Sequence, residues 1–67
     1  MRIELNGEPV ELAAGASLAQ AVDSLGVDSA RGVAVAVDGE VVPRSAWDAT
    51  ALSEGQQVEV LRAVQGG

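Results

Sequence analysis

The residues best suited to chemistry in this chain are the last two, Gly66 and Gly67. Glycine has no side chain, so this segment is as thin as a polypeptide can be and reaches backbone angles that other residues avoid. Such a thread fits a narrow tunnel in another protein and presents the Gly67 carboxylate to an active site there. The plainer interpretation is a frayed chain end or a cloning remnant.

The chemistry open to a terminal carboxylate is acyl activation. The α-carboxyl group is ionised at neutral pH and is a weak nucleophile. If a partner supplies Mg²⁺ and positioning, it is competent to attack the α-phosphate of ATP. The acyl-adenylate that results is open to attack by sulfur or by an amine.

The composition argues against an active site within the chain itself. The 67 residues include no histidine, cysteine, tyrosine or lysine, which removes most general bases, nucleophiles and metal ligands. We therefore expect no enzyme activity, no metal site and no bound cofactor. The net charge of −6 disfavours nucleic acid and anionic membranes as partners and suits docking on a basic surface of another protein.

Length and hydropathy predict one small domain in the cytoplasm. The 48% of hydrophobic residues is enough for a modest core, and the absence of cysteine excludes disulfides. The N-terminus shows no signal peptide, and no apolar run approaches the roughly 20 residues of a membrane span.

The first eleven or so residues predict a β-hairpin. Residues 1–6 alternate apolar and polar side chains, the period of a half-buried strand. Asn6-Gly7 is typical of a type I′ turn, in which both central residues have positive φ. Val10 and Leu12 continue the alternation on the return strand, and Pro9 indicates that this strand lies at a sheet edge.

A helix of about nine residues is expected to follow, because Ser17 and Gln20 have the spacing of a capping box. Gly26 is predicted to end it in a left-handed conformation. The apolar stripe of this helix consists of Leu18, Ala21, Val22 and Leu25.

The second half of the chain predicts three more strands. Residues 33–37 alternate valine and alanine, and an Asp38-Gly39 turn leads to a short strand at 41–42 that Pro43 ends. Residues 44–50 are predicted to form a loop and 51–55 a turn that ends in glycine. Residues 57–64 form the last strand.

The order β-β-α-β-β-β predicts an α+β fold. One short helix covers only one face of a mixed sheet. With the first and last strands parallel at its centre, this is the β-grasp, or ubiquitin-like, arrangement. Residues 1–67 then form a single domain, from which a flexible tail of Gln65, Gly66 and Gly67 projects.

Three further residues are candidates for partner contact. Leu61 falls on the same predicted sheet face as Ala34 and Ala36. These residues form either an apolar patch for a partner or a set of ordinary exposed apolar residues. Trp47 is interpreted first as a loop residue that covers the core, and second as a partner contact. Arg44 either steers a partner or pairs with a neighbouring carboxylate.

Residues 33–47, and above all the Val-Pro-Arg-x-x-Trp element at 42–47, resemble the ThiS family, the sulfur carriers of thiamine thiazole biosynthesis. The Ala-Ala-Gly before the helix, the Glu-Gly before the last strand and the Ala-Val-Gln-Gly-Gly end also match. The resemblance covers the whole chain. Asp38 replaces a common Asn and Gln56 replaces a common Asp, both at turn positions.

The resemblance implies that Gly67 is adenylated by a ubiquitin-activating-type enzyme (ThiF-like), which uses ATP and Mg²⁺. A sulfur donor such as a cysteine desulfurase then allows a thiocarboxylate to form, and the thiazole synthase ThiG consumes it. Gly66 and Gln65 serve the threading of the tail.

Two alternatives remain open at the level of sequence. The small subunit of molybdopterin synthase would share the inferred fold, the Gly-Gly end and the thiocarboxylate chemistry, but its chains tend to be longer. A ubiquitin-like interaction module or protein modifier would share only the fold and the tail.

Overall fold

The computed structural model describes residues 1–25 and 32–62, with the backbone alone for Arg62. Within these residues no helix is long and apolar enough to cross a membrane. The chain order is β-β-α-β-β-β, as predicted. The elements are β1 (Arg2–Leu5), β2 (Glu8–Glu11), α1 (Leu18–Asp23), β3 (Val33–Val37), β4 (Glu40–Val41), a 3₁₀ turn (Arg44–Ala46) and β5 (Gln57–Arg62).

The five strands form one mixed sheet in the order β2-β1-β5-β3-β4. The first and last strands are parallel, with Leu5 opposite Val58, and every other pairing is antiparallel. Helix α1 packs on one face. This is the β-grasp arrangement that the order of elements predicted.

Both hairpins turn as their sequences require. Asn6 and Gly7 have φ of 52° and 83°, and Asp38 and Gly39 have 50° and 86°. Positive φ at both central residues defines a type I′ turn, whose twist matches that of the flanking strands. Pro9 lies in β2, which is an edge strand, so its missing N–H removes no bond from the interior of the sheet.

The capping box at the start of α1 is confirmed. The Gln20 N–H donates to Ser17 Oγ at 3.2 Å, and the Ser17 N–H donates to Gln20 Oε1 at 2.8 Å. Because a six-residue helix is not stable alone in water, its buried residues, Leu18, Ala21 and Val22, must hold it in place.

The predicted length of this helix was wrong, and so was Leu25 as part of the buried stripe. The helix stops at Asp23, and Leu25 is 40% exposed. The Ser24 Oγ donates to the Ala21 carbonyl at 2.7 Å, the acceptor that Leu25 would use in a continuing helix. The Leu25 N–H bonds the Val22 carbonyl instead. Gly26 lies outside the described residues.

The segment predicted as a plain loop contains a 3₁₀ turn. The Ala46 N–H donates to the Pro43 carbonyl at 2.9 Å, and the Trp47 N–H to the Arg44 carbonyl at 3.1 Å. Pro43, at φ −65°, sets the entry to this turn. Strand β4 also differs from its prediction by one residue, and the last two residues of the predicted final strand lie outside the described part.

The core lies between the sheet and α1. The valines of β3 face the helix and its alanines face away, as the alternation predicted. The buried cluster consists of Ile3, Leu5, Leu18, Ala21, Val22, Val35, Val37, Trp47, Leu52 and Val58.

We predict that Ser17→Ala lowers the free energy of unfolding by about 1 kcal/mol, because the Gln20 N–H loses its acceptor at the helix start. Urea unfolding followed by Trp47 fluorescence measures this. Ser53→Ala is the control, since Ser53 is exposed and its hydroxyl makes no bond within the described residues. Equal stability of the two variants would contradict the capping role.

Candidate functional site

The predicted chemical residues, Gly67, Gly66 and Gln65, lie outside the described residues. The structure describes β5, the strand that leads to them, as far as Arg62. Strand β5 lies in the interior of the sheet, between β1 and β3. Its registers place Val58 beside Leu5 on one side and Val37 on the other. The chain that carries the tail is therefore rooted in the centre of the fold.

Two turn side chains bond to the backbone of β5. At its start, Asp38 Oδ1 accepts the Gln57 N–H at 2.9 Å. Further along, Asn6 Oδ1 accepts the Val60 N–H at 2.8 Å. The sequence predicted Asn6 and Asp38 as turn residues only. The type of side chain is the signal for these bonds, because a glycine at either position would satisfy the turn without offering an acceptor.

Asp38 also contacts the side chain of Gln56. The Gln56 Nε2 donates to Asp38 Oδ2 at 3.1 Å. Asp38 therefore accepts hydrogen bonds from both the side chain of Gln56 and the backbone of Gln57.

The sheet face away from α1 carries an apolar patch. Leu61 is 67% exposed and lies opposite Ala34, while Val41 is 75% exposed and lies opposite Ala36. We call these four residues the open-face patch. The predicted grouping of Leu61 with Ala34 and Ala36 is confirmed. Val41 was missed, although its place in the hairpin opposite Ala36 follows from the turn.

Acidic residues lie on the same sheet face as the open-face patch. Glu59 lies opposite Ala36, and Glu4 lies beside Gln57, two residues before Glu59 on β5. Arg2 forms an exposed ion pair with Glu11, with 3.4 Å between Nε and Oε2. An apolar surface with acidic residues on the same face fits a partner whose apolar contact area is bordered by arginine or lysine.

Trp47 belongs to the core. It is 5% exposed, and its Nε1 donates to the Val42 carbonyl at 2.9 Å. The structure therefore supports the interpretation that it covers the core, and it does not support Trp47 as a partner contact. Arg44 is exposed at the start of the 3₁₀ turn. Across residues 1–25 and 32–61 the one ion pair is Arg2 with Glu11, so Arg44 does not pair with a described carboxylate.

Comparison with known proteins gives a match over nearly the whole chain. Residues 3–67 match the ThiS family. A crystal structure of the thiamine biosynthesis protein ThiS from Geobacter metallireducens is similar, with 35% identity, full coverage of both chains and a TM-score of 0.83. A solution structure of a thiamine biosynthesis protein from the same organism has 36% identity and a TM-score of 0.80, and covers 100% of this chain and 88% of that one.

The chain belongs to the ThiS family. The match supports a sulfur carrier with the ubiquitin-like β-grasp fold as its class. A curated relative from Paramagnetospirillum magneticum, named thiazole synthase, is 34% identical over 67 residues. The alignment covers the whole of this chain but only about a fifth of the relative's length.

A substitution of Trp47 distinguishes a role in core packing from a role in partner contact in this ThiS-family chain. We predict that Trp47→Phe lowers the free energy of unfolding by about 1 kcal/mol, because the Val42 carbonyl loses its indole donor. Urea unfolding followed by circular dichroism measures this. Binding of a partner protein, measured by titration, is expected to stay unchanged. Weaker binding with unchanged stability would restore Trp47 as a partner contact.

Proposed function

We propose that this chain carries sulfur for the formation of the thiazole ring of thiamine, as a thiocarboxylate on Gly67. The observation that carries the proposal is the match to the ThiS family through residue 67, which includes the Gly66-Gly67 pair. The geometry supports it. A strand held on both sides leads to the tail, and an exposed apolar patch lies beside the same strand.

The proposed chemistry proceeds in two transfers. A Gly67 carboxylate oxygen attacks the α-phosphorus of ATP, an O–P bond forms, and the bond to pyrophosphate breaks. A sulfur nucleophile at the oxidation level of sulfide then attacks the carbonyl carbon of the acyl-adenylate. A C–S bond forms, the C–O bond to AMP breaks, and AMP leaves. The product is the thiocarboxylate.

The catalytic groups in this scheme belong to the partners, so the chain is a protein co-substrate and not an enzyme. A ubiquitin-activating-type adenylyltransferase (ThiF-like) uses ATP and Mg²⁺. A cysteine desulfurase supplies sulfur as a persulfide, which a thiol reductant converts to the level of sulfide, and a thiazole synthase (ThiG) consumes the product. The composition of the chain supports this division, since it has no histidine, cysteine, tyrosine or lysine. The relative named thiazole synthase supports the final acceptor. We place these steps in the cytoplasm.

The open-face patch is the proposed docking surface for the adenylyltransferase. It includes Leu61, which precedes Gly67 by only six residues, so a partner seated there is within reach of the tail. At up to about 3.5 Å per residue, six residues span at most roughly 20 Å. Glu59 and Glu4 add the charge that a basic border on the partner would meet.

The deciding experiment is the intact mass of the protein after incubation with ATP, cysteine and an extract of its host. We expect the mass increase of one oxygen replaced by sulfur, localised to Gly67 by fragmentation. Thiazole synthase or a molybdopterin precursor is then added to identify the acceptor. If the mass does not increase in an extract that thiocarboxylates a known carrier, the proposal is wrong, and an interaction module is favoured. Consumption by the molybdopterin precursor alone would reassign the pathway.

Gly67→Ala tests the tail itself. We predict a loss of adenylation of about tenfold or more, the scale on which a tight site rejects one methyl group, measured by pyrophosphate release. Unfolding in urea should be unchanged. A tag after Gly67 should abolish adenylation, because it removes the free carboxylate. Normal adenylation of either protein would contradict the role of Gly67.

Leu61→Glu tests the docking surface. We predict that the KM of the carrier in adenylation rises about tenfold, because a buried apolar contact is replaced by a charge. Leu25→Glu is the matched control, since Leu25 is also exposed but follows α1, on the other side of the sheet. Equal KM values for the two variants would exclude the open-face patch as the docking surface.

A further inference from the structure

Near the C-terminal end of β5, the side chain of Asn6 takes the place of a neighbouring strand as a hydrogen-bond partner. The parallel ladder between β1 and β5 reaches Leu5 and Val58, and the Asn6 N–H donates to the Val58 carbonyl at 2.9 Å. The chain then turns away at Asn6-Gly7. The next β5 amide on this side, that of Val60, meets no β1 backbone carbonyl, and Asn6 Oδ1 accepts it at 2.8 Å.

This bond lies close to the open-face patch and to the C-terminal tail. Val60 immediately precedes Leu61 of the open-face patch and stands seven residues before Gly67. On the other side of β5, the pairing with β3 continues from Val58 to Arg62. Among the described residues, the Asn6 side chain provides the bond to β5 beyond Val58 on the side of the first hairpin. If that bond is lost, the described contacts leave this part of the strand hydrogen-bonded to β3 alone.

We propose that Asn6 is a positioning residue for the C-terminal tail, one that fixes the end of β5 so that the open-face patch and the tail engage the adenylyltransferase together. This inference rests on the proposed function. Its physical basis is preorganisation, because a strand end that is already ordered loses less conformational entropy on docking. Asn6 touches neither ATP nor the reacting carboxylate in this scheme, and it acts through the backbone of β5.

The chain offers a matched set of variants. Asn6→Gly keeps the positive φ of the turn and removes the acceptor. Asn6→Asp keeps both, since aspartate tolerates this conformation and has an oxygen in the same place. Asp38→Gly is the control, because it removes the corresponding bond to the Gln57 N–H at the start of the same strand, together with the contact to the Gln56 side chain, from the same type of turn.

The first measurement is adenylation kinetics with each carrier variant as the varied substrate. We expect Asn6→Gly to raise KM about fivefold, the factor for one net hydrogen bond, with kcat unchanged. Asn6→Asp should restore KM, and Asp38→Gly should leave it unchanged even if it lowers stability. An unchanged KM for Asn6→Gly would overturn the proposal. So would an equal rise for Asp38→Gly, which would assign the effect to the stability of the strand as a whole.

The second measurement needs no partner. Amide hydrogen exchange at Val60 should be about fivefold faster in Asn6→Gly than in the parent protein and near the parent rate in Asn6→Asp and Asp38→Gly. Unaltered exchange in Asn6→Gly would also overturn the proposal. If the parent protein is not adenylated under conditions that activate a known carrier, the proposed function fails, and hydrogen exchange alone then decides whether Asn6 holds the strand.

Discussion

The pairing of the last strand with the first is the interaction on which the rest of this structure depends. Strand β5 enters the sheet between β1 and β3, and Val58 becomes almost fully buried there. The two paired segments, around Leu5 and Val58, are separated by most of the chain. Closing that long loop costs entropy before any contact repays it, so the tail acquires a fixed root only when the whole domain has folded.

The one helix among residues 1–25 and 32–62 covers one face of the sheet, and no described element packs on the other face. In a larger α/β protein, further elements would cover the open-face patch. Here Leu61 and Val41 stay exposed. An apolar surface of this kind favours association with a partner, and it lies on the strand that leads to the tail.

The hairpin turns have a second task besides reversing the chain. Asn6 and Asp38 adopt positive φ, and each also accepts an N–H of β5. A charged or polar turn residue on the surface contributes little by itself, but a side chain that replaces a missing ladder bond satisfies a backbone group that the strand requires. Asp38 also accepts the side-chain amide of Gln56, the residue that precedes β5.

Much of this protein is determined by the sequence itself, because the governing interactions are local. Alternation defined the strands, Asn-Gly and Asp-Gly defined the turns, and Ser17 with Gln20 defined the helix start. The preferred interpretation of Trp47 as a residue that covers the core is supported. The end of the helix and the 3₁₀ turn, in contrast, depend on hydrogen bonds that no periodicity records. Likewise, only the folded chain brings Asn6 to Val60 and Asp38 to Gln56. These contacts join segments far apart in sequence, and their partners follow from the order of strands in the sheet and not from the residues near them.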